Sequence, residues 1–174
     1  MTARLTFDAF VQASHRSLFG TAFLLTGAVE PAEELVQDTL AMLYPKWQRV
    51  AAADDPLAYV RRALANRFVS IGRRRSQSDI TMWDVPDSRP ASDIADAVVN
   101  REAIWQMLNS IAERQRAAIV LRYFHDLPDS EIADCLGCRT ATVRSLISRG
   151  VTDMRERANR AGTQRVTAPR GDQS

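Results

Sequence analysis

Apolar residues in this chain recur every three or four positions and almost nowhere alternate one for one. That spacing gathers them on one side of an α-helix and would scatter them over both faces of a β-strand, so it commits the chain to helices. Phe7, Phe10, Val11, Leu18, Ala22 and Leu25 form one stripe. Leu57, Val60, Leu64, Phe68 and Ile71 form another, and Ile104, Met107, Leu108 and Ile111 a third. No long run of Val, Ile and Thr alternates with polar residues between turn signals. The expected fold class is all-α.

Glycine, proline and acidic residues divide the pattern. Gly27 is suited to stop the first helix. Pro31 stands in the first turn of the next, with Glu33 and Glu34 near its positive end. Pro45 ends or kinks that helix. Asp55 as N-cap and Pro56 at the first helical position restart the chain. Three helices with short connections make a first domain within residues 1–75. Residues 76–100 hold five Asp, one Arg and two prolines, Pro86 and Pro90, and read as a flexible acidic linker. A helical run that begins near Arg101 and continues through "AERQRAAIVLRYFHDL" opens a second domain, 101–160, and 161–174 is a polar tail. The 174 residues suit two small helical domains, and a 45% hydrophobic, 25% charged composition can form a core.

Several function classes drop out. No apolar run approaches the ~18–20 residues of a membrane-spanning helix, so no direct membrane insertion is expected. "MTARLTFDAF" lacks the apolar core of an export signal. Two cysteines are too few for a disulfide framework, which fits a reducing, cytoplasmic location. No Ser/His/Asp set, paired carboxylates or glycine-rich phosphate loop is visible, so no catalytic residue, cofactor or small-molecule substrate is expected.

One stretch carries a recognisable device: "SEIADCLGCRTATVRSLISRG", Ser130 to Gly150. A helix-turn-helix needs a small residue where its helices cross, a left-handed residue in the turn, and inward apolar anchors. Ala133, Gly137 and Val143 stand at the required offsets of four and six, with Ile132, Leu136 and Ile147 as further anchors. The outward face of the second helix then holds Arg139, Thr142, Arg144, Ser145, Ser148 and Arg149, suited to guanine edges, other bases and phosphates. An amphipathic hairpin used only for packing fits the same pattern. Cys135 and Cys138 supply two ligands where a structural zinc needs four, and neither His15 nor His125 has matching spacing. They read as packing residues, and no metal is expected.

A second basic element lies in the first domain. Arg61, Arg62, Arg67, Arg73, Arg74 and Arg75 fall within fifteen residues that contain no acid. Such a cluster can neutralise phosphates, and nearby aromatics can stack unpaired bases, although Phe68 also belongs to the apolar stripe. The preceding helix has the opposite sign: Glu30, Glu33, Glu34 and Asp38 suit solvent or a basic protein partner. A one-component regulator sensing a ligand, or an adaptor with no DNA role, would also accommodate these features.

"AEELVQDTLAMLY" with "DPLAYVRRALANRFVSIGRRR", followed by "AERQRAAIVLRYFHDLPDSEIADCLGCRTATVRSLISRG", resembles the extracytoplasmic-function (ECF) sigma factors of bacterial RNA polymerase, in the sigma-70 family. The likeness runs over roughly residues 5–158. The Arg-rich composition, with 22 Arg and the single Lys46, has an actinobacterial look. The resemblance implies that the first domain is similar to sigma region 2, which opens and holds the −10 promoter element. Its "AEELVQDTL" helix would then meet the β′ clamp helices of core polymerase through Glu34, Leu35, Gln37 and Asp38. The helix from Leu57 onward would hold −10 DNA through Arg61, Arg62, Asn66, Arg67 and Arg73. The second domain is similar to region 4, which reads the −35 element with Arg139, Ala141, Thr142, Arg144, Ser145, Ser148 and Arg149, and which meets the β flap. An anti-sigma factor, often membrane-bound, is the family's common regulator.

Overall fold

The computed structural model describes residues 5–77 and 104–166, and every regular element among them is helical. Helix α1, Phe7–Thr26, starts at Thr6, whose hydroxyl accepts the Ala9 N–H at 3.3 Å. It ends at Gly27, held at φ 83°, where an L side chain would be strained. Its inward face is Phe10, Ser14, Leu18, Thr21, Ala22 and Leu25, at the helical spacing read from the sequence. Helix α2, Val29–Leu43, buries Ala32, Leu35, Val36, Thr39, Leu40 and Leu43 and leaves Glu30, Glu33 and Glu34 outside.

Pro45 neither ends the chain's helical course nor continues it as α-helix. It sits in a single 3-10 turn, Tyr44–Lys46, where its missing N–H costs little, and the short helix α3, Trp47–Ala51, follows directly. This bend carries Trp47 into the core beside Phe7 and Phe10, with ring centroids 5.3 and 4.9 Å away. The indole Nε1 donates to the Leu5 carbonyl at 3.0 Å. Helix α4, Pro56–Gln77, is capped by Asp55, whose Oδ1 accepts the Ala58 N–H at 2.9 Å. It buries Val60, Leu64, Ala65 and Val69. α4 runs through Gln77, two residues into the expected linker; the rest of that stretch lies outside the described residues.

The second group begins with α5, residues 104–109. The single run expected from Arg101 is broken here. The Ser110 hydroxyl donates to the Met107 carbonyl at 2.7 Å, and Ala112 turns extended, with ψ 146°. The Gln115 side chain accepts the Ala112 N–H at 3.1 Å and so opens α6, Glu113–Tyr123. Helices α7, Asp129–Leu136, and α8, Thr140–Val166, complete the order. α8 continues past Gly162, into the stretch read as a tail; one glycine weakens a helix by about 1 kcal/mol but does not by itself end it.

The two groups are not held apart. α4 packs on both α6 and α7, and α1 packs on α6, so one connected set of buried side chains runs from Phe10 to Val143. Leu18, Leu25, Leu64, Leu108, Leu121 and Ile132 are among those fully enclosed. Burial of each contributes about 1.5–3 kcal/mol relative to exposure.

Candidate nucleic-acid interface

The turn between α7 and α8 has the geometry its sequence requires. Gly137 is left-handed, φ 57° and ψ 48°, and the Cys138 N–H donates to the Ala133 carbonyl at 3.0 Å, closing the end of α7. Ala133, Ile132, Leu136 and Val143 are buried at the crossing, and Ile147 is half-buried. With those anchors turned inward, Arg139 in the turn and Ala141, Thr142, Arg144, Ser145, Ser148 and Arg149 on α8 are all exposed. Two are tied locally. The Ser145 hydroxyl donates to the Ala141 carbonyl at 3.1 Å, and Arg144 donates through Nε to Asp129 Oδ2 at 3.0 Å. Asp129 also meets Arg122 at 3.6 Å, so it is braced from a second side.

The basic helix is arranged differently. Of the five −10 candidates, only Asn66 and Arg73 are exposed. Arg61 donates to the Ser17 hydroxyl at 2.6 Å, Arg67 to Asp38 at 2.9 Å, and Arg62 pairs with Glu131 on α7. Thus α4 turns three of its candidate phosphate ligands toward the protein.

On the acidic helix, Glu34 and Gln37 are exposed, as are Glu30 and Glu33, and Asp38 is half-buried on Arg67. Leu35 is a correction. It is 3% exposed and belongs to the core of α2, because it falls on the helix's inward stripe, so its side chain cannot meet a partner.

Several residues of consequence were missed in the sequence. Arg116 is buried, and its guanidinium donates to the carbonyls of Leu25 at 2.6 Å and Asn109 at 3.2 Å. Burial pushes its pKa below the usual arginine range, with the Glu113 charge opposing. A charge in the apolar phase of "RQRAAIVL" was the available signal. Arg114 donates to the Leu136 carbonyl at 3.0 Å, at the negative end of α7. Glu131 and His125 gave no signal, because their partners Arg62 and Thr21 lie 69 and 104 residues away in the chain. Both cysteines are free thiols. Cys135 is buried, which pushes its thiol pKa up against the opposing charge of Arg62 and keeps it protonated and inert. An apolar groove of about 330 Å³ opens between α5, α6 and α8, lined by residues that include Met107, Ile119, Tyr123, Phe124 and Met154.

Comparison with known proteins places this geometry. Residues 101–154 match the family described as Sigma-70, region 4. RNA polymerase sigma-E factor of Streptomyces coelicolor is 28% identical over 152 residues, covering 87% of this chain and 85% of that one. ECF RNA polymerase sigma factor SigG of Mycobacterium tuberculosis is 25% identical over 94% of this chain and 51% of its own length. Among solved structures, the sigma factor RpoE of Bartonella quintana, crystallised with the anti-sigma factor NepR, superposes with a TM-score of 0.66 at 25% identity, covering 86% of this chain and 94% of that one. M. tuberculosis SigJ superposes with a TM-score of 0.58 at 25% identity, over 92% of this chain and 57% of that one.

Proposed function

We infer that this chain is a sigma factor of the ECF group of the sigma-70 family and acts as the promoter-specificity subunit of RNA polymerase. What supports the reading is the order of surfaces along one chain. An exposed acidic helix, α2, precedes a basic helix, α4, and a helix-turn-helix whose seven candidate reading residues all face solvent. A simple repressor needs only the last of these.

In this reading α2 meets the β′ clamp helices with Glu34, Gln37 and Asp38, joined by Glu30 and Glu33. α8 enters the −35 major groove, where Arg139, Arg144 and Arg149 meet base edges or phosphates and Thr142, Ser145 and Ser148 fill between them. α4 holds the opened −10 strand through Arg61, Arg62, Asn66, Arg67 and Arg73. The β flap is assigned to the apolar groove beside Met107 and Phe124, which offers a partner helix an apolar seat. The chain itself makes and breaks no covalent bond and works in the cytoplasm with the polymerase. It is restrained by an anti-sigma protein, a reading supported by the complex that RpoE of B. quintana forms with NepR.

Reconstitution with core polymerase tests this. Run-off transcription from genomic fragments should show discrete starts that core enzyme alone does not give. No stimulation over core enzyme would overturn the assignment.

A further inference from the structure

The proposed reading surface exposes three arginines, and they are not held alike. Arg144 donates through Nε to Asp129 Oδ2 at 3.0 Å. The other oxygen of that carboxylate, Oδ1, stands 3.6 Å from Arg122 Nη1, and the same Nη1 donates to the Leu127 carbonyl at 3.1 Å. A chain of contacts therefore runs from the turn after α6, through Arg122 and Asp129, to a side chain on α8. Asp129 is the fixed member, its side chain 22% exposed against 74% for Arg144. Arg139 and Arg149 have no carboxylate partner among the described residues.

We propose that Asp129 is a positioning residue for promoter reading: it holds Arg144 by the Nε edge, so that the two terminal amines select guanine in the −35 major groove. The role in promoter reading rests on the sigma-factor reading; the brace itself does not.

A guanidinium can set two donors side by side along more than one edge. With Nε taken, the pair of terminal amines is the edge left. Guanine is the one base that offers two adjacent acceptors in the major groove, O6 and N7. Adenine sets a donor beside its acceptor, thymine a methyl group, and cytosine offers a donor. An unbraced arginine can also swing to phosphates, which carry no sequence information. The brace gives up that reach for selectivity. It also sets a carboxylate near the DNA backbone, where like charges repel. Asp129 thus acts with opposite signs on two quantities: it weakens binding to any duplex and sharpens the choice at one base pair. Asp129 also stands in the first turn of α7, where a carboxylate suits the positive helix end. That service alone would not single out one base pair.

The test uses the full chain with core polymerase, a promoter fragment recovered by run-off transcription, and a panel of its single −35 substitutions. Arg144→Ala locates the position that Arg144 reads. In Asp129→Asn the preference at that same position should fall about two- to fivefold, the worth of one largely exposed pair, and the other positions should keep theirs. Binding to a duplex of mixed sequence should hold or tighten. The double variant Asp129→Asn with Arg144→Ala should be no flatter at that position than Arg144→Ala alone. Asp134→Asn, the same charge change at an exposed site on α7, should leave every preference unmoved. A uniform loss across the panel, an additive double variant, or an unchanged preference in Asp129→Asn would overturn the positioning role and leave the sigma-factor reading standing. In the free chain, the Arg144 Nε–H resonance should exchange with water faster in Asp129→Asn than in wild type; equal exchange would overturn the brace whatever the promoters show.

Discussion

His125 is where a single side chain shows how the halves meet. Thr21 uses its one hydroxyl proton on the Ser17 carbonyl, 3.0 Å away, so the 3.1 Å contact to His125 Nε2 assigns the imidazole as donor. Burial, and then the positive charge of Arg61, push its pKa down to about 4. A histidine with an ordinary pKa near 6.5 when unfolded therefore binds its proton more tightly once exposed. Stability should be fully present above about pH 6.5 and fall as the pH drops toward 4, by about 3 kcal/mol at most. Urea midpoints of wild type and His125→Gln at pH 7 and pH 4.5 check this. The wild type should lose more, since carboxylates common to both cancel in the difference. Gly137 makes a separate residue-scale case. An added Cβ would meet nothing within 4 Å, so Gly137→Ala should cost only its left-handed backbone, about 1–2 kcal/mol by urea denaturation.

The proposed reading helix, α8, is an element held by its neighbours. Asp129 engages the Nε edge of Arg144 while the arginine stays 74% exposed, which leaves both terminal amines for a partner. Arg144→Ala should then cost about 1–3 kcal/mol at one −35 position, if those amines pair with a guanine edge. Holoenzyme binding to a panel of singly substituted −35 duplexes checks it; a uniform loss across the panel would move Arg144 to the backbone. On α2, Asp38 holds Arg67 of α4 at 2.9 Å, so one carboxylate serves the proposed polymerase face and the proposed −10 helix together. Asp38→Arg should weaken holoenzyme assembly, read by native gel or sedimentation, with helical circular dichroism unchanged. Undiminished assembly would remove this face of α2 from the polymerase interface.

Across the whole molecule, cooperativity between the halves should run through Arg116, whose guanidinium hydrogen-bonds to Leu25 in one half and to Asn109 in the other. The wild type should unfold in one transition, and Arg116→Ala, which strips buried carbonyls of their donor, should separate it into two. Coincidence of near- and far-ultraviolet melting curves in the variant would contradict this. Much of the molecule was legible beforehand, because helix phase, caps and the helix-turn-helix depend on residues three to ten positions apart. The stripe from Phe10 to Leu25, the Asp55 cap, the Gly27 stop and the outward set on α8 are of this kind. Leu35 misled because a sequence match carries a position without the direction its side chain takes; the helical phase placed it inward. The break at Ser110 was hidden because one hydroxyl-to-carbonyl bond outweighed an unbroken apolar pattern. Local spacing by itself therefore determined most of the helices, the stop at Gly27, the cap at Asp55 and the charge of each face. Only the tertiary structure decided that Arg62 meets Glu131, that Arg116 reaches Leu25 and that Thr21 meets His125, because 69, 91 and 104 residues separate those partners and no periodicity spans such distances.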